Sequence, residues 1–439
     1  MNDSTAAERP ARFLWLPPSL RPPVPLPRRQ EITFLLVGTT LLFSGYDLSV
    51  YSLALPQIQH SLAIPENALG LTVSYFRLAA FATLLIAPLA DIFGRRALLM
   101  FTVFFEALFT IATAFAQTSE QYVAAQILAR VFGYSEEALC FVVIAEEIDA
   151  RVRGWSTGTL GTMNATGVGV ASLAFALVNV LPFGWRALYV IGGGSLFVLA
   201  YFRRWLPETP RFELRRAEIA ALESKSAAML DTLRRLVNVY PGRLAALLVA
   251  VFANGFAFAP AAVLASKYLQ QTHHYQPLHI TYLYLGGGLL SVWGNIFAGR
   301  SSDFLGRKVV LVATLLIGGV FFYVLYSGIQ SWIVAGAWIV AIFGYLATDA
   351  LLAGYPAEIF PTAYRATASS LRYAVSIFGG ATSLALEGVF YDWLGTHGPA
   401  IAVALAAVPV AIAAVLFLPE PARRTLEDVA AEPLTEHKA

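Results

Sequence analysis

Apolar residues in this chain are collected into runs of about twenty, and this grouping decides the class of protein. A helix of about that length crosses a hydrocarbon layer ~30 Å thick, because it rises 1.5 Å per residue. Hydrophobic residues make up 57% of the chain and charged residues only 13%, which argues against a water-soluble globular domain. We therefore predict an all-α membrane protein with twelve spans, at 32–54, 68–90, 97–117, 120–146, 155–181, 186–206, 244–266, 280–302, 308–329, 332–356, 366–391 and 398–418.

The positions of lysine and arginine predict the orientation of these spans. Of thirty such residues, two fall in loops on one side and three inside spans, while the other twenty-five lie on the opposite side with both termini. The positive side is expected to be the cytoplasm, in a plasma or bacterial inner membrane. The net charge of +2 therefore indicates topology and not nucleic-acid binding. Residues 1–30, rich in proline and arginine, are predicted to be a disordered cytoplasmic arm and not a signal peptide.

Three motifs recur at one constant offset in residue number, which we call the repeat offset. Asp91 to Arg96 is repeated at Asp303 to Lys308, and Glu146 with Arg153 is repeated as Glu358 with Arg365. The third motif, Pro207-Glu208 with Arg211, is repeated at the same offset as Pro419-Glu420 with Arg423. Six spans per copy give both copies one orientation, which indicates parallel repeats about an axis along the membrane normal.

These motifs resemble those of the major facilitator superfamily over residues 32 to 424. The resemblance includes the loop motif G-x-x-x-D-[RK]-x-G-R-[RK], from which Ala87 and Ile92 depart, and the sugar-porter motif at Leu206 to Arg211. Gly45 to Tyr51 and Arg365 to Tyr373 resemble patterns of metabolite:proton symporters. The resemblance to the superfamily implies two helical bundles, 31–206 and 244–420. A cytoplasmic linker at 207–243 joins them, and a tail follows at 421–439.

The resemblance also implies that the repeated charges form a cytoplasmic gate between the bundles. An aspartate beside clustered arginines near helix ends can accept charge-assisted hydrogen bonds. A cytoplasmic loop is enriched in arginine in any case, so a topology signal alone is the alternative. The predicted gate residues are Asp91, Arg95, Arg96, Glu146, Arg153, Glu208, Arg211, Asp303, Arg307, Glu358 and Arg365.

Charged residues inside spans are costly and mark functional sites. Helical rise places Asp47, Arg77 and Arg130 at about 21–24 Å from the cytoplasmic face, in one layer. An ion pair of Asp47 with Arg77 or Arg130 would set a carboxylate suited to proton coupling, or one that stays ionised as a structural partner. None of the three has a charged equivalent at the repeat offset, where Ala259, Leu289 and Ile342 stand, so we place the substrate and coupling site mainly in the first bundle.

Further candidates for substrate binding or proton coupling lie in the fourth, seventh, eighth, tenth and eleventh spans. Glu137 shares a helix face with Arg130 and Tyr134 and corresponds to Asp349 under the repeat, and either acid could carry a proton or form a neutral interhelical hydrogen bond. Arg372 could reach the cavity or extend back to water. Asn254 and Asn295 could bond a substrate or a neighbouring helix.

The leading hypothesis is a monomeric secondary transporter that carries a small metabolite together with a proton. Arginines at cavity depth favour an organic anion, whereas a sugar or zwitterion fits if the acids cancel them. A facilitator and an exporter are the alternatives. All six histidines fall in predicted loops or the tail, and neither a metal or cofactor site nor an enzyme's convergent nucleophile is predicted. The single cysteine, Cys140, excludes an intrachain disulfide.

Overall fold

The structure is a computed structural model that describes residues 21–22, 24–86, 89–148, 152–205 and 233–422. The predicted arm through residue 20, most of the predicted linker and the tail from residue 423 lie outside the described residues. The elements of secondary structure in the described ranges are helices, as predicted. Helices suit a membrane because each satisfies its own backbone hydrogen bonds where no water is present.

The described residues pack as two compact units. The first unit contains the residues through Ala54 and those from Ala79 to the end of the range 152–205. Its helices are α1 (Arg28–Leu53), α4 (Thr83–Ile86), α5 (Leu89–Phe93), α6 (Arg95–Ala114), α7 (Ser119–Glu147), α8 (Arg153–Phe175) and α9 (Trp185–Arg203), with a 3₁₀ helix at Ala79–Ala82.

The second unit contains Leu55–Leu78 and the described residues from 233 onward. A short helix spans residues 233–239 of the predicted linker. The other helices are α2 (Leu55–Leu62), α3 (Leu69–Leu78), α10 (Pro241–Gln271), α11 (Pro277–Leu305), α12 (Arg307–Tyr326), α13 (Ser331–Ile359), α14 (Thr362–Leu394), α15 (His397–Leu405) and α16 (Val408–Phe417), with a 3₁₀ helix at Glu66–Ala68.

Eight stretches of helix are long and apolar enough to cross a membrane within the described part of the chain. Helices α7, α8 and α11, at 23 to 29 residues, have the length of a span as well. The second predicted span, 68–90, is instead broken into α3, a 3₁₀ helix, α4 and α5. These segments together match the predicted order of twelve spans, and the all-α membrane architecture is confirmed.

The repeat is visible in the backbone at two glycines related by the repeat offset. Gly94 precedes α6 with φ of 97°, and Gly306 precedes α12 with φ of 103°. Residues that carry a side chain rarely adopt a positive φ, so glycine is the residue that fits this sharp turn between two helices. The turn brings the arginine that follows each glycine, Arg95 or Arg307, to the start of a new helix.

Candidate functional site

Asp47 of α1 and Arg130 of α7 form an ion pair inside the first unit. Arg130 Nη1 lies 3.0 Å from Asp47 Oδ2, and the side chains are only 3% and 2% exposed. Arg130 Nη2 also donates to the backbone oxygen of Asp47 at 2.9 Å and to Gln126 Oε1 at 3.1 Å. The guanidinium carbon lies 5.3 Å from the centre of the Tyr51 ring. Of the two partners that the sequence allowed for Asp47, the structure selects Arg130.

Close packing of α1 against α8 fixes the position of Asp47. A Cβ atom at Gly45 would lie 2.1 Å from the backbone oxygen of Asn164, and one at Gly167 would lie 1.8 Å from that of Leu42. Only glycine permits these approaches, and small residues commonly let membrane helices pack this closely. Asp47 follows Gly45 by two residues, so the same contact that joins the helices holds its backbone.

A second ion pair joins Glu136 of α7 to Arg203 at the end of α9, and both side chains are fully buried. Thr102 Oγ1 donates to the same carboxylate, and Cys140 lies between the two charged groups, 3.3 Å from Glu136 Oε1 and 3.4 Å from Arg203 Nη2. Arg203 Nη1 also donates to the backbone oxygen of Leu99 at 3.3 Å. Apart from Arg203 Nε, which has no hydrogen-bond partner in the described residues, the charged groups are paired inside the helix packing, which is the arrangement of a structural ion pair.

Glu106 of α6 is another buried acid of the first unit, only 1% exposed. Ser44 Oγ donates to its Oε1 at 3.1 Å, while its Oε2 has no hydrogen-bond partner among the described residues. A Cβ atom at Gly133 would lie 2.9 Å from Oε1, so that glycine makes room for the carboxyl group. No arginine or lysine pairs with Glu106 in the described residues, unlike Asp47 and Glu136.

Glu137 of α7 differs from its neighbour Glu136 because it is partly exposed and has no ion-pair or hydrogen-bond partner within the described part of the chain. It follows Arg130 by seven residues, which is two helical turns. Tyr134, on the same helix, is also partly exposed. The sequence prediction that these residues share one face of α7 with Arg130 agrees with the helical register.

The predicted polar residues of the second unit are less tightly connected. Arg372 of α14 is 8% exposed, so it is buried and does not extend to water, and its Nη1 lies 3.6 Å from Asp349 Oδ1 of α13. The Asp349 side chain is 46% exposed. Asn254 of α10 is buried, and its Oδ1 has no hydrogen-bond partner among the described residues. Asn295 lies in α11, and its side chain is outside the described residues.

Arg77, the third predicted intramembrane arginine, belongs to the second unit at the end of α3. Its guanidinium lies over α14, where a Cβ atom at Gly380 would come within 2.8 Å of Nη1. The adjacent Gly379 would bring a Cβ atom to 2.3 Å from the backbone oxygen of Phe252. Gly379 and Gly380 therefore permit close packing of α14 against its neighbouring helices.

The repeated loop motif forms the same ion pair in each unit. Arg95 Nη2 lies 3.3 Å from Glu146 Oε1 in the first unit. In the second unit, Arg307 donates to Glu358 from Nε at 3.0 Å and from Nη2 at 2.8 Å, and it also lies 2.8 Å from Asp303. The two arginines are related by the repeat offset, and so are the two glutamates, so the repeat extends to this contact.

Two other predicted gate residues, Arg365 and Arg96, donate hydrogen bonds to backbone oxygens. Arg365 donates from Nε to the backbone oxygen of Phe360 at 3.0 Å, and the described partner of Glu358 is Arg307. Arg96 donates to the backbone oxygen of Arg204. The side chains of Asp91 and Arg153, and the whole of Glu208 and Arg211, lie outside the described residues.

Glu420, the repeat equivalent of Glu208, caps a helix. It accepts hydrogen bonds from the backbone N–H of Arg307 at 2.8 Å and of Lys308 at 3.0 Å, which are the first two residues of α12. The first N–H groups of a helix have no partner within the helix, and the helix dipole favours an anion there. The acid of the third repeated motif thus stabilises the start of the helix that carries Arg307.

A family comparison agrees with this geometry. The family model described as Major Facilitator Superfamily matches residues 37–292 and 247–438, which is nearly the whole chain. The chain belongs to the major facilitator superfamily. It is therefore a multi-pass membrane transporter of small molecules, and the prediction that it is not an enzyme is confirmed.

Some relatives in the superfamily align with nearly the whole chain, and others align with less than half of it. A "Probable 4-methylmuconolactone transporter" of Cupriavidus pinatubonensis is 24% identical over 420 residues, which is 91% of this chain and 93% of the relative. The 4-hydroxybenzoate transporter PcaK of Pseudomonas putida is 27% identical over 191 residues, 43% of this chain and 42% of PcaK. The crystal structure of a D-xylose-proton symporter superposes with a TM-score of 0.72 at 15% identity, over 90% of this chain and 99% of the symporter.

Several buried charges of this superfamily member were absent from the sequence prediction. Glu106 and Glu387 lie well inside predicted spans, where a systematic search for ionisable residues would have found them, whereas Arg203 lies at the end of the sixth predicted span and was counted with the cytoplasmic side. Lys267 and His397 were assigned to loops because predicted span ends are uncertain by several residues. The structure places Lys267 inside α10 and His397 at the first position of α15.

Proposed function

We propose that this superfamily member is a proton-coupled symporter of small organic anions, of the aromatic carboxylate class. The observation that carries the proposal is the buried ion pair of Asp47 and Arg130. A guanidinium binds a carboxylate through two parallel hydrogen bonds, so Arg130 is suited to the carboxylate of a substrate. In the structure, that place is taken by Asp47.

Charge balance links substrate binding to proton binding at this pair. An unpaired charge inside a membrane protein costs several kcal/mol. When a substrate carboxylate replaces Asp47 beside Arg130, the Asp47 carboxylate is left unpaired unless it takes up a proton. One proton and one carboxylate then enter together, and the interior keeps the same net charge. Because both side chains are almost fully buried, binding also requires this region to open.

The surroundings of the pair supply a second acid and aromatic rings. Glu137 lies two turns along α7 from Arg130 and is partly exposed, so we assign it the transfer of the proton between Asp47 and water. Tyr51 faces the Arg130 guanidinium, and its ring can stack on an aromatic substrate. The name of one relative, a transporter of 4-hydroxybenzoate, supports the aromatic carboxylate class, and the name of the other, a probable transporter of 4-methylmuconolactone, supports small organic anions more broadly.

The transport cycle that we infer is alternating access by two six-helix bundles about a midplane site. The repeated ion pairs, Arg95 with Glu146 and Arg307 with Glu358, belong to the gate on the side that carries most arginines. We place that side and both termini in the cytoplasm, and the chain in the bacterial inner membrane as a monomer.

Uptake into proteoliposomes tests this function. Purified protein is reconstituted, and uptake of radiolabelled 4-hydroxybenzoate is measured with and without an imposed inward proton gradient. The gradient is expected to drive accumulation, and an uncoupler to abolish it. Asp47→Asn is expected to lower gradient-driven uptake at least about tenfold, because the amide cannot release or accept the coupled proton. Glu120→Gln, at an exposed acid of the same unit, is the matched control and is expected to retain uptake.

Each result separates one part of the proposal. Uptake that is indifferent to the gradient and the uncoupler would contradict proton coupling and indicate a facilitator. Normal gradient-driven uptake by Asp47→Asn would remove Asp47 from the coupling site. A thermal-shift screen tests the substrate class: stabilisation by D-xylose and by no carboxylate, or an anion response that survives Arg130→Ala, would contradict organic-anion binding at Arg130.

A further inference from the structure

Four charged or titratable side chains meet at the end of the second unit that lies far from Arg307. His397, at the start of α15, lies between two glutamates: its Nε2 is 3.0 Å from Glu66 Oε2 and its Nδ1 is 2.6 Å from Glu387 Oε1. Lys267 Nζ, near the end of α10, is 2.7 Å from Glu66 Oε2. We call Glu66, Lys267, Glu387 and His397 the His397 cluster.

The geometry of this cluster requires a proton that a neutral histidine and two carboxylates do not supply. A neutral imidazole donates from one nitrogen and accepts at the other, whereas an imidazolium donates from both. Each ring nitrogen of His397 faces a carboxylate oxygen, which is an acceptor when ionised. Both contacts are therefore hydrogen bonds only if one proton is added, either on the ring or on Glu387. Without it, one nitrogen lone pair faces a carboxylate and repels it.

The charges around His397 show which group takes up that proton. Hydrogen bonding to His397 and to Lys267 lowers the pKa of Glu66 to about 2, so Glu66 stays ionised wherever a histidine titrates. Lys267 is 2% exposed and balances Glu66. Tyr391 of α14 lies against the ring, with centroids 4.5 Å apart, and Tyr326 of α12 donates its hydroxyl to the backbone oxygen of Ala261. The added proton consequently lies in the contact between His397 and Glu387, whose side chain is 1% exposed.

The His397 cluster lies at one end of the contact between residues 55–78 and α14. A Cβ atom at Gly70 would lie 2.2 Å from the backbone oxygen of Leu384, and one at Gly388 would lie 1.8 Å from that of Asn67. Ser74 Oγ donates to the backbone oxygen of Ala381 at 2.8 Å. These contacts are neutral and do not respond to pH. The ring of His397 adds the ionic contact, because it reaches Glu66 just before α3 and Glu387 on α14.

We propose that Glu66, Glu387 and His397 form a proton-binding site, separate from Asp47, whose bound proton fastens residues 55–78 to α14 and α15. By sequence these residues belong to the first repeat, and in the structure they pack within the second unit. Movement of the two repeats during transport must therefore release this contact. As a step of a transport cycle the site rests on the function proposed above, and as a proton-binding site it does not.

Hydrogen–deuterium exchange on purified protein without substrate tests the site. Exchange of peptides covering 55–78 is compared between the wild type and His397→Gln, each at about pH 5.5 and about pH 8.5, on either side of the ordinary histidine pKa. The ratio of the two proteins' rates at one pH cancels the chemical pH dependence of exchange. We expect the variant to exchange about tenfold faster at the lower pH, as loss of a charge-assisted hydrogen bond implies, and nearly equally at the higher pH.

Two further variants make the result decisive. His274→Gln changes an exposed histidine in the loop after α10 and is expected to leave the ratio near one at both pH values. Glu66→Gln removes one acceptor and is expected to give a smaller change in the same direction, and it replaces His397→Gln if that variant does not fold. A ratio for the cluster variants that is the same at both pH values would overturn the proton site and leave a purely structural contact.

The outcome is independent of the uptake assay. If the ratio of exchange rates depends on pH but uptake does not depend on the proton gradient, the proton-binding site at His397 is supported and proton coupling at Asp47 is contradicted. If the ratio of exchange rates is the same at both pH values but the proton gradient drives uptake, the proton-binding site at His397 is contradicted and proton coupling at Asp47 is supported. If the ratio of exchange rates depends on pH and the proton gradient also drives uptake, His397→Gln is expected to change how uptake depends on external pH. Glu120→Gln is expected to leave that dependence unchanged.

Discussion

Thr102 in the first unit and Thr314 in the second are equivalent under the repeat, and their partners differ in charge. Thr102 donates to Glu136, which pairs with Arg203. At the matching positions of the second unit, Thr348 donates to Thr314 at 2.9 Å, and Val415 stands where Arg203 would be. Val415 and Thr348 are fully buried. One unit thus holds an ion pair where the other holds two hydroxyl groups and an apolar side chain.

This difference shows that the repeated fold does not need the ion pair. A buried pair of opposite charges is often no more stable than apolar residues of similar volume, because both charges lose their hydration. Mutation of only one partner is a different case, because the remaining partner is then a buried charge without a counterion. The ion pair of Glu136 and Arg203 is therefore a property of the first unit, in which Asp47 and Arg130 also lie, and the comparison can be tested by exchanging the residues.

Removal of one partner is expected to have the largest effect. Arg203→Met leaves Glu136 buried without a counterion, and we expect a loss of about 3–5 kcal/mol in the free energy of unfolding. Thermal unfolding of the purified variant in detergent measures it. Arg204→Met is the matched control, because Arg204 is an exposed arginine next in the chain, and it is expected to change the stability little. Equal melting temperatures for the two variants would contradict a buried charge pair.

Transfer of the second unit's residues into the first sharpens the same prediction. The double variant Glu136→Thr with Arg203→Val reproduces Thr348 and Val415, and it removes both charges together. We expect most of the stability lost in Arg203→Met to return in this variant. A double variant that is less stable than Arg203→Met would mean that the surroundings of the first unit, including Cys140, require charge at this place.

The repeated arginines before α6 and α12 offer a second comparison with a smaller expected effect. The Arg95 side chain is 5% exposed and its partner Glu146 is 13% exposed, against 22% and 29% for Arg307 and Glu358. We expect Arg95→Gln to cost about 1.5–3 kcal/mol and Arg307→Gln about 1 kcal/mol, because water can replace the more exposed arginine. Thermal unfolding of both variants measures the difference, and an equal or reversed order would contradict the role of burial.

Much of this architecture could be predicted from the sequence because its causes are local or repeated. Apolar runs set the helices, and the repeat offset matches Arg95 with Arg307 and Glu146 with Glu358. Contacts between distant residues were harder to predict. Asp47 had two possible partners along the chain, and the ion pair that the structure describes is with Arg130.

The His397 cluster and Glu106 show the limit of prediction from spacing. Glu66 and His397 are 331 residues apart, and no pattern along the chain connects them. Glu106 contacts Ser44 because glycine at position 133 leaves space for its carboxyl group, which is a consequence of packing. Residue type alone could indicate that such groups need partners, whereas only the fold could show which partners they have.

The smallest expected effect concerns the neutral pair of the second unit. Thr348→Val removes the hydroxyl that donates to Thr314 at 2.9 Å and keeps the volume of the side chain. We expect a loss of about 1 kcal/mol in the free energy of unfolding, because a neutral hydrogen bond contributes about that much and Thr314 still donates to the backbone oxygen of Leu311 at 3.1 Å. Thermal unfolding beside Arg203→Met measures both on one scale. If Thr348→Val cost as much as Arg203→Met, packing at this position of the repeat, and not charge, would determine the stability of both units.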